Sequence, residues 1–316
     1  LDIAQGTVTD GLKTMAPFFE PIYEALIDKN LEAGLWHADE TRWKVFAVTE
    51  GKVGYTWYMW VFSCESSVVY VLDQSRSAKV PEAHFDRVVQ GILVVDRYSA
   101  YKSMAKSIKI ILAFCWAHVR RDFLSLANKW PSYEKWAMQW VESIGRLYHL
   151  NHLRLAVIDE PCSFSEKDAD LRAFVAQMAE NFSDQLDDEK IHPAKEKVLT
   201  SLKNHWQGLT VFVDHPEVPM DNNEAERRER IPVVGRKNFY GSGSIWSGNL
   251  AATMFSIFQT LGKYNINPRL WLTLYLQACA AASGKAPEDI ESFLPWNMSE
   301  LQLAQLSIKP EIRDSS

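Results

Sequence analysis

The sequence DNNEAERRERIPVVGRKNF, residues 221–239, brings four acidic and five basic side chains together in one short segment. Its local pattern predicts a helix that begins at Asn222. Asp221 is a good N-cap residue, and Glu224, three positions later, completes the pattern of a capping box. Pro232 would end or kink this helix. The segment therefore has the composition of a helix and loop that bind a metal ion and phosphate groups.

The capping pattern gives Asp221 and Glu224 structural roles. Glu226 and Glu229 remain as candidate ligands. On a helix with 3.6 residues per turn, both share a face with Asn222 and Asn223. One carboxylate on a short helix does not define a site. Whether this carboxylate binds a metal depends on finding further acids upstream in the chain that could share the ion.

Composition indicates an ordinary globular protein. The chain has 316 residues, of which 47% are hydrophobic and 23% charged, enough for one large core or two smaller ones. The apolar runs are too short for a membrane span and no signal peptide precedes them, so we expect a cytoplasmic protein. The widely spaced cysteines favour reduced thiols over a zinc ribbon. Because the net charge is -6, nucleic-acid binding would need local basic patches or a missing domain.

Hydrophobic periodicity predicts the order of the elements. A helical stretch interrupted by prolines comes first, followed by three strands rich in Trp, Val, Tyr and Phe, and then by alternating helices and strands. This βββαβαβ order indicates an α/β fold with a mixed sheet flanked by helices. From about Arg120 to His205 the apolar spacing is helical throughout, which predicts an all-helical insertion.

The predicted elements divide the chain into five segments. They are an amino-terminal packing helix (1–33), the first part of the core (34–123), the helical insertion (124–205), the second part of the core (206–282) and a polar, irregular carboxy-terminal tail (283–316).

Two upstream acids are associated with apolar strands. Asp39 lies in the first predicted strand, and because side chains alternate across a sheet, Asp39 and its neighbour Glu40 cannot face the same site. Asp96 follows the apolar strand GILVV, where ligands collect in open α/β sheets. Taken singly, each acid is more often a turn-forming or capping residue than a ligand. If these strands are neighbours, the two carboxylates would repel each other unless a divalent cation lay between them.

Oxygen ligands without paired His or Cys residues suit Mg²⁺ or Mn²⁺. Two such ions bridged by carboxylates can activate an attacking oxygen and stabilise a leaving oxygen in phosphodiester chemistry. The pattern of acids therefore points to a nucleic-acid backbone as the substrate.

The segment CWAHVRRDF, residues 115–123, is the second cluster of polar residues. A lone Cys and a lone His do not complete a tetrahedral zinc site, so zinc is the weaker interpretation. We expect Cys115 to be buried in a strand and His118 to mark the exit from that strand. Arg120 and Arg121 either bind phosphate with their guanidinium forks or form a solvated helix face, two interpretations of equal weight.

Basic residues also follow Glu226 closely, beside a site that is predicted to be acidic. This placement favours phosphate contact over a solvated face. They are Arg227, Arg228, Arg230, Arg236 and Lys237. The Gly/Ser stretch GSGSIWSG, residues 241–248, is either a mobile loop over a substrate or a plain linker.

Five segments together resemble the bacterial DDE transposases of the insertion sequence sixty-six family. They are HADET (37–41), LVVDRYSAY (93–101), CWAHVRRDF (115–123), DNNEAER (221–227) and GRKN (235–238). Each is weak alone, but their order, with a helical insertion between the second and third acids, is specific. The resemblance implies a ribonuclease-H-like catalytic domain in which Asp39, Asp96 and Glu226 form a metal-binding triad, with His118 beside it.

The chain departs from the family pattern in two respects. Relatives usually carry leucine where this chain has Glu229, which leaves Glu229 as an alternative third acid, and proline where it has Ile231. We also expect the family's amino-terminal DNA-reading region, which resembles a coiled coil with a zinc-binding module, to be missing from this sequence.

The resemblance implies the catalytic core of a transposase. Two Mg²⁺ (or Mn²⁺) ions held by the triad would support cleavage of a transposon end by water, and then attack of the freed 3′ hydroxyl on target DNA. The residues expected to bind DNA are Arg120, Arg121, Arg227, Arg230, Arg236 and Lys237.

The partners implied are transposon-end and target DNA, bound by a homo-oligomer in the bacterial cytoplasm at the nucleoid, with no membrane. Two alternatives stay open. One is a ribonuclease-H-like nuclease that does not transfer strands, and the other is a domesticated, inactive DNA-binding protein.

Overall fold

The computed structural model describes residues 4–48, 50–51 and 53–308. Residues 1–3 of the predicted amino-terminal segment and residues 309–316 of the predicted tail lie outside this range. The chain divides into two compact units: unit 1 is Leu1–Val88 with Glu224–Ser316, and unit 2 is Val89–Asn223. Among the helices in the described ranges, none is both long and apolar enough to cross a membrane.

The strands are β1 (Leu35–Lys44), β2 (Thr56–Ser63), β3 (Val68–Asp73), β4 (Gly91–Val95) and β5 (Ile110–Phe114). The α-helices are α1 (Gln5–Met15), α2 (Glu20–Leu31), α3 (Lys79–His84), α4 (Ser99–Ser107), α5 (Trp116–Lys129), α6 (Glu134–Leu155), α7 (Pro161–Leu186), α8 (Pro193–Leu209), α9 (Val211–Asp214), α10 (Asn223–Phe239), α11 (Ile245–Lys263), α12 (Pro268–Ala281) and α13 (Glu300–Leu306). Short 3₁₀ helices cover Ala16–Phe19, Pro131–Tyr133, Glu291–Phe293 and Pro295–Asn297.

The strands form a mixed five-stranded sheet in the order β3-β2-β1-β4-β5. In unit 1, β1, β2 and β3 make the predicted antiparallel meander, and in unit 2, β4 and β5 run parallel. This sheet, flanked by helices, confirms the predicted α/β fold class with a mixed sheet. The chain from Trp116 to Asp214 adds helices and no strand within the described residues, as expected for a helical insertion.

In unit 1, helices α10 and α11 cover one face of the meander. Trp43, Met59 and Val61 of the sheet pack in one buried cluster with Ala225 of α10 and Ala252 of α11. The small alanine side chains let both helix backbones approach the large aromatic and aliphatic residues of the sheet. This packing fixes the position of α10, the helix that carries the acids of the opening segment.

Side chains of α11 also satisfy the free edge of β3. The N–H of Val68 donates to Thr260 Oγ1 at 3.0 Å, and the N–H of Tyr70 donates to Ser256 Oγ at 2.8 Å. An edge strand with open N–H groups is a template for unwanted strand pairing. The two hydroxyls therefore protect β3 and attach α11 to it.

Helix α10 continues through Pro232, so this proline does not end the helix, which was one of the two effects predicted for it. A proline has no N–H, and the carbonyl of Arg228 consequently loses its intrahelical donor. The buried hydroxyl of Tyr70 donates to this carbonyl at 2.8 Å. Burial, and then the charge of Glu229, raises the pKa of Tyr70, which keeps its hydroxyl a donor. A side chain from β3 thus replaces the hydrogen bond that Pro232 removes.

We expect Tyr70→Phe to lower the free energy of unfolding by about 1–3 kcal/mol, because it leaves a carbonyl without its donor. Urea denaturation followed by circular dichroism measures this loss. Tyr55→Phe is the matched control, since Tyr55 is 46% exposed, and it should change stability by less than about 0.5 kcal/mol. Equal stabilities of Tyr70→Phe and the parent would contradict the role given to this bond.

Three further local predictions are wrong. Strand β5 ends at Phe114, so Cys115 is the N-cap residue of α5 and not a strand residue. The Gly/Ser stretch is a loop only in part, because Ser244 caps α11 and the residues after it form the first turn of that helix. The tail that was predicted to be irregular contains α13, which ends at Leu306.

Candidate active site

The carboxyl ends of β4 and β5 carry the candidate site residues of unit 2. The two strands pair in parallel, with Val95 opposite Phe114. Asp96 therefore follows β4 at the same edge at which Cys115 follows β5, and the Cys115 N–H donates to the Val95 carbonyl at 3.1 Å. This is the edge at which ligands collect in open α/β sheets.

Asp96 is half-buried, and its Oδ1 accepts the Tyr98 N–H at 2.8 Å. The bond forms a turn just before α4, so Asp96 has the turn-forming role that is common for a lone acid after a strand. A carboxylate has about four lone-pair sites, and this bond therefore leaves capacity for a cation. The structural role and the ligand role are compatible.

Helix α5 starts at the same edge and is fixed there by Trp116. The Trp116 N–H donates to the Met220 carbonyl at 2.9 Å, and its indole Nε1 donates to the Leu209 carbonyl at 2.7 Å. His118 lies half-buried in the first turn of this helix and not at the exit of a strand, which corrects the prediction. The amino end of a helix carries a partial positive charge that favours a nearby phosphate.

The loop before α10 is fixed within unit 2 by two bonds. The buried Cys115 Sγ accepts the Asn222 N–H at 3.3 Å, and Asp221 Oδ1 accepts the Asn223 N–H at 3.0 Å. Asp221 thus bonds the first residue of α10, but the helix begins at Asn223, one residue later than predicted. The Cys115 thiol thus helps to hold the loop before α10.

Arg97 holds the loop that follows Asp96 in place. The sequence did not predict this role, because only its position next to Asp96 distinguishes Arg97. Its guanidinium donates to Asp122 of α5 at 2.6 Å and to Ser201 of α8 at 2.9 Å. Both bonds are partly buried, so they hold the Asp96 loop against two helices of unit 2. We infer that Arg97 positions Asp96 and does not itself bind a substrate.

In unit 1, Asp39 lies on the face of β1 that α10 covers. It pairs across the sheet with Val61, which belongs to the same buried cluster as Ala225 of α10, and its Oδ1 accepts the Glu40 N–H at 2.9 Å. Glu40 faces the other side of the sheet, where it is buried and accepts the Arg76 Nε at 2.7 Å. Of the two neighbouring acids, Asp39 is therefore the one on the side of the helix.

The first glutamate of α10 has a structural role that differs from the predicted one. Glu224 was expected to complete a capping box, but its carboxylate accepts bonds from Ser63 at 3.0 Å, Arg228 at 2.9 Å and Lys263 at 2.7 Å. Burial alone would raise its pKa, but the bonds from Lys263 and Arg227 hold the pKa well below its ordinary value. Glu224 is thus a charged residue that anchors α10 to its neighbours.

The other two glutamates differ in burial. Glu226 is half-buried, whereas Glu229 is 6% exposed and neither of its carboxyl oxygens has a hydrogen-bond partner among the described residues. Burial raises the pKa of Glu229 well above its ordinary value, and the charges of Asp39 and Glu40 raise it further, while Arg236 lowers it.

The predicted DNA-binding residues also differ in their surroundings. Most are exposed, and these are Arg120, Arg121, Arg227, Arg230 and Lys237. Arg227 pairs with Glu224 at 2.9 Å. Arg236 Nη1 donates to Thr41 Oγ1 and to the Arg42 carbonyl, which attaches the end of α10 to β1. Arg236 thus has a structural role that spacing along the helix did not reveal.

The predicted site residues form two groups. Unit 1 holds Asp39, Glu226 and the basic residues of α10, and unit 2 holds Asp96, His118 and the two exposed arginines of α5. The assembly of both groups into one triad stays a prediction.

Residues 1–250 match the family model described as "Transposase IS66 family". The chain belongs to this family. The matched range of this IS66 family chain contains His118 and the three acids predicted to form the triad.

Curated relatives of the IS66 family chain occur in Sinorhizobium fredii. "Uncharacterized protein y4jD" is 27% identical over 254 residues, which cover 78% of this chain and 48% of the relative. "Uncharacterized protein y4qI" is 27% identical over 276 residues, which cover 82% and 50%. "Uncharacterized protein y4hP" is 22% identical over 342 residues, which cover 98% and 58%. The chain thus spans about half the length of the curated relatives it matches.

Among solved structures, the IS66 family chain is similar to the HTLV-2 integrase catalytic core domain in complex with magnesium. The match covers 30% of this chain and 70% of the integrase chain, with 15% sequence identity and a TM-score of 0.18. At this TM-score the likeness says nothing about the site.

Proposed function

We propose that this chain is the catalytic domain of a DDE transposase, which cuts the ends of its element and joins them to target DNA. The observation that carries the proposal is the IS66 family match over residues 1–250, which includes Asp39, Asp96 and Glu226. The chain spans about half the length of its curated relatives, so the activity and the partners of the whole protein are proposed as well.

The chemistry of the acids suits divalent cations. Each member of the proposed triad offers carboxylate oxygens, the ligands that Mg²⁺ and Mn²⁺ prefer. Asp96 also accepts a backbone N–H, which orients its carboxylate while other lone pairs stay available. We therefore assign two Mg²⁺ (or Mn²⁺) ions to Asp39, Asp96 and Glu226. When bound, such ions supply charge stabilisation at the attacking and leaving oxygens of a phosphodiester.

The other proposed residues position the DNA. The exposed arginines of α5, Arg120 and Arg121, suit bidentate contact with phosphate oxygens, and Arg230 and Lys237 extend the basic surface along α10. His118, in the first turn of α5, hydrogen-bonds a phosphate near the reacting centre. The expected assembly is a homo-oligomer on transposon-end and target DNA at the bacterial nucleoid.

Two in-line displacements at phosphorus complete the proposed reaction. Water attacks first and releases a 3′ hydroxyl at the element end, and this hydroxyl then attacks a phosphodiester of the target. Each step forms one P–O bond and breaks one, so no covalent intermediate with the protein is needed. The same acids serve both steps.

A strand-transfer assay tests this function. The chain is incubated with Mg²⁺, a labelled DNA carrying the element's end and a supercoiled target plasmid, with a chelator in the control reaction. We expect cut ends, and labelled ends joined to the plasmid, only with the metal. Cut ends that remain unjoined would indicate a nuclease without strand transfer. Absence of both cleavage and Mn²⁺ binding would favour the inactive DNA-binding alternative.

A further inference from the structure

We propose that Glu229 is an additional divalent-cation ligand, which acts together with Asp39 in unit 1. The inference rests on the proposed function. It adds a fourth carboxylate to the three acids of the proposed triad.

The packing of α10 places Glu229 over the face of the sheet that carries Asp39. In the sheet, Asp39 of β1, Val61 of β2 and Tyr70 of β3 form one row of paired residues on one face. The Tyr70 hydroxyl holds the Arg228 carbonyl, at one end of this row.

Further along α10, Arg236 is bonded to Thr41 and Arg42 of β1, at the other side of the meander. The helix thus crosses the sheet from β3 to β1. Glu229 lies between these two attachments, on the buried side of α10 with Ala225.

The carboxyl group of Glu229 is enclosed but unsatisfied. Its side chain belongs to a residue with 6% exposure, and both oxygens lack a hydrogen-bond partner among the described residues. Leaving such a buried group unsatisfied destabilises the fold. Buried polar groups in native proteins have partners with few exceptions, and an ion is one explanation of such an exception. Asp39 lies on the face of the sheet that α10 covers, the same side on which Glu229 is buried.

Two other buried or half-buried acids of unit 1 are each paired with a positively charged side chain. Glu40 is neutralised by Arg76 at 2.7 Å, and Glu224 by Lys263 at 2.7 Å and by Arg228. Each of these acids has a protein cation within hydrogen-bond distance. The described side chains supply none to Glu229, and a divalent cation shared with Asp39 would supply the missing positive charge.

A purely space-filling role of the Glu229 side chain is the competing explanation. Under that explanation, Glu229→Leu would stabilise the chain and leave metal binding unchanged. Under our proposal, the leucine variant also stabilises the metal-free chain but loses affinity for the metal. Metal binding, and not stability alone, therefore separates the two.

Titration calorimetry with MnCl₂ on the full chain provides the test. We expect Glu229→Gln and Glu229→Leu to weaken Mn²⁺ binding by about tenfold or more, since even residues that only support a metal ligand are worth 10-fold to 100-fold. We also expect both variants to lose most of the rise in melting temperature that Mn²⁺ gives the parent. Circular dichroism checks that both remain folded, and Glu180→Gln, exposed on α7, is the matched control.

Parent-like Mn²⁺ affinity in both Glu229 variants would overturn the inference. If Glu226→Gln weakens binding while the Glu229 variants do not, only this inference fails and the proposed triad stands. If the parent itself binds no Mn²⁺, the proposed function fails as well.

Discussion

Glu226→Gln is expected to abolish Mg²⁺-dependent cleavage of the element's end while leaving the fold intact. The amide keeps the size of the side chain but removes the negative charge that would hold the metal. Metal ions contribute several kcal/mol to the stabilisation of such a transition state, and each 1.36 kcal/mol is tenfold in rate, so the loss should be about 10³-fold or more. Because Glu226 is only half-buried, its replacement should leave the packing of α10 against the sheet unchanged.

Two other glutamine variants make this test specific. Glu180→Gln, in the exposed part of α7, should cut DNA at the parental rate. Glu229→Gln shows whether the neighbouring acid replaces Glu226 as the third ligand. A rate for Glu226→Gln equal to that of the parent, in a protein with a parental circular dichroism spectrum, would refute the assignment of this residue.

Asp168→Ala should destabilise the helical part of unit 2 by about 3–5 kcal/mol, because it leaves a buried guanidinium without its counterion. Arg154 has no exposed surface, and its Nη1 donates to Asp168 at 2.9 Å. The same guanidinium donates to the carbonyls of Phe212 and Val213. These bonds connect α6, α7 and α9, so the loss should appear in cooperative unfolding of that region.

The effect of Asp168 should also depend on pH. Burial raises the pKa of its carboxyl, but the bonds from Arg172 and Arg154 lower it to a net value below the ordinary one. A carboxyl whose pKa is lower in the folded state than in the unfolded state stabilises the fold at pH values above its unfolded-state pKa. This stabilisation is lost as the pH falls through the folded-state pKa. The difference in unfolding free energy between the parent and Asp168→Ala should therefore shrink in acid.

Guanidinium denaturation at neutral and acid pH measures both effects. Asp170→Ala is the control on the same helix, since Asp170 is exposed and 3.9 Å from Lys167. It should cost less than about 1 kcal/mol. If Asp168→Ala unfolds at the same denaturant concentration as Asp170→Ala, the buried ion pair does not stabilise the insertion.

Local sequence patterns predicted most of the fold because the relevant forces act over short stretches. Alternation and β-branched or aromatic residues predicted β1, β2 and β3, and short apolar runs predicted β4 and β5. The order of these elements was enough to predict a mixed sheet. Asp96 could be placed at the edge of that sheet because it directly follows β4.

What spacing could not predict depends on contacts between residues far apart in the chain. The passage of α10 through Pro232 requires the hydroxyl of Tyr70, which is 158 positions from the carbonyl it binds. The same holds for Glu224, whose carboxylate binds Lys263. A helical pattern shows which residues share a face, but not which partners that face meets. For this reason three glutamates of one helix, similar in sequence, have three different surroundings.

A structure determined with Mn²⁺ and element-end DNA would test the central claim most directly. We predict ions bound by carboxylate oxygens of Asp39, Asp96 and Glu226 at about 2.1–2.2 Å, identified by the anomalous signal of manganese. Ions bound elsewhere, or any one of the three carboxylates remote from every ion in a DNA-bound complex, would contradict the proposed transposase mechanism.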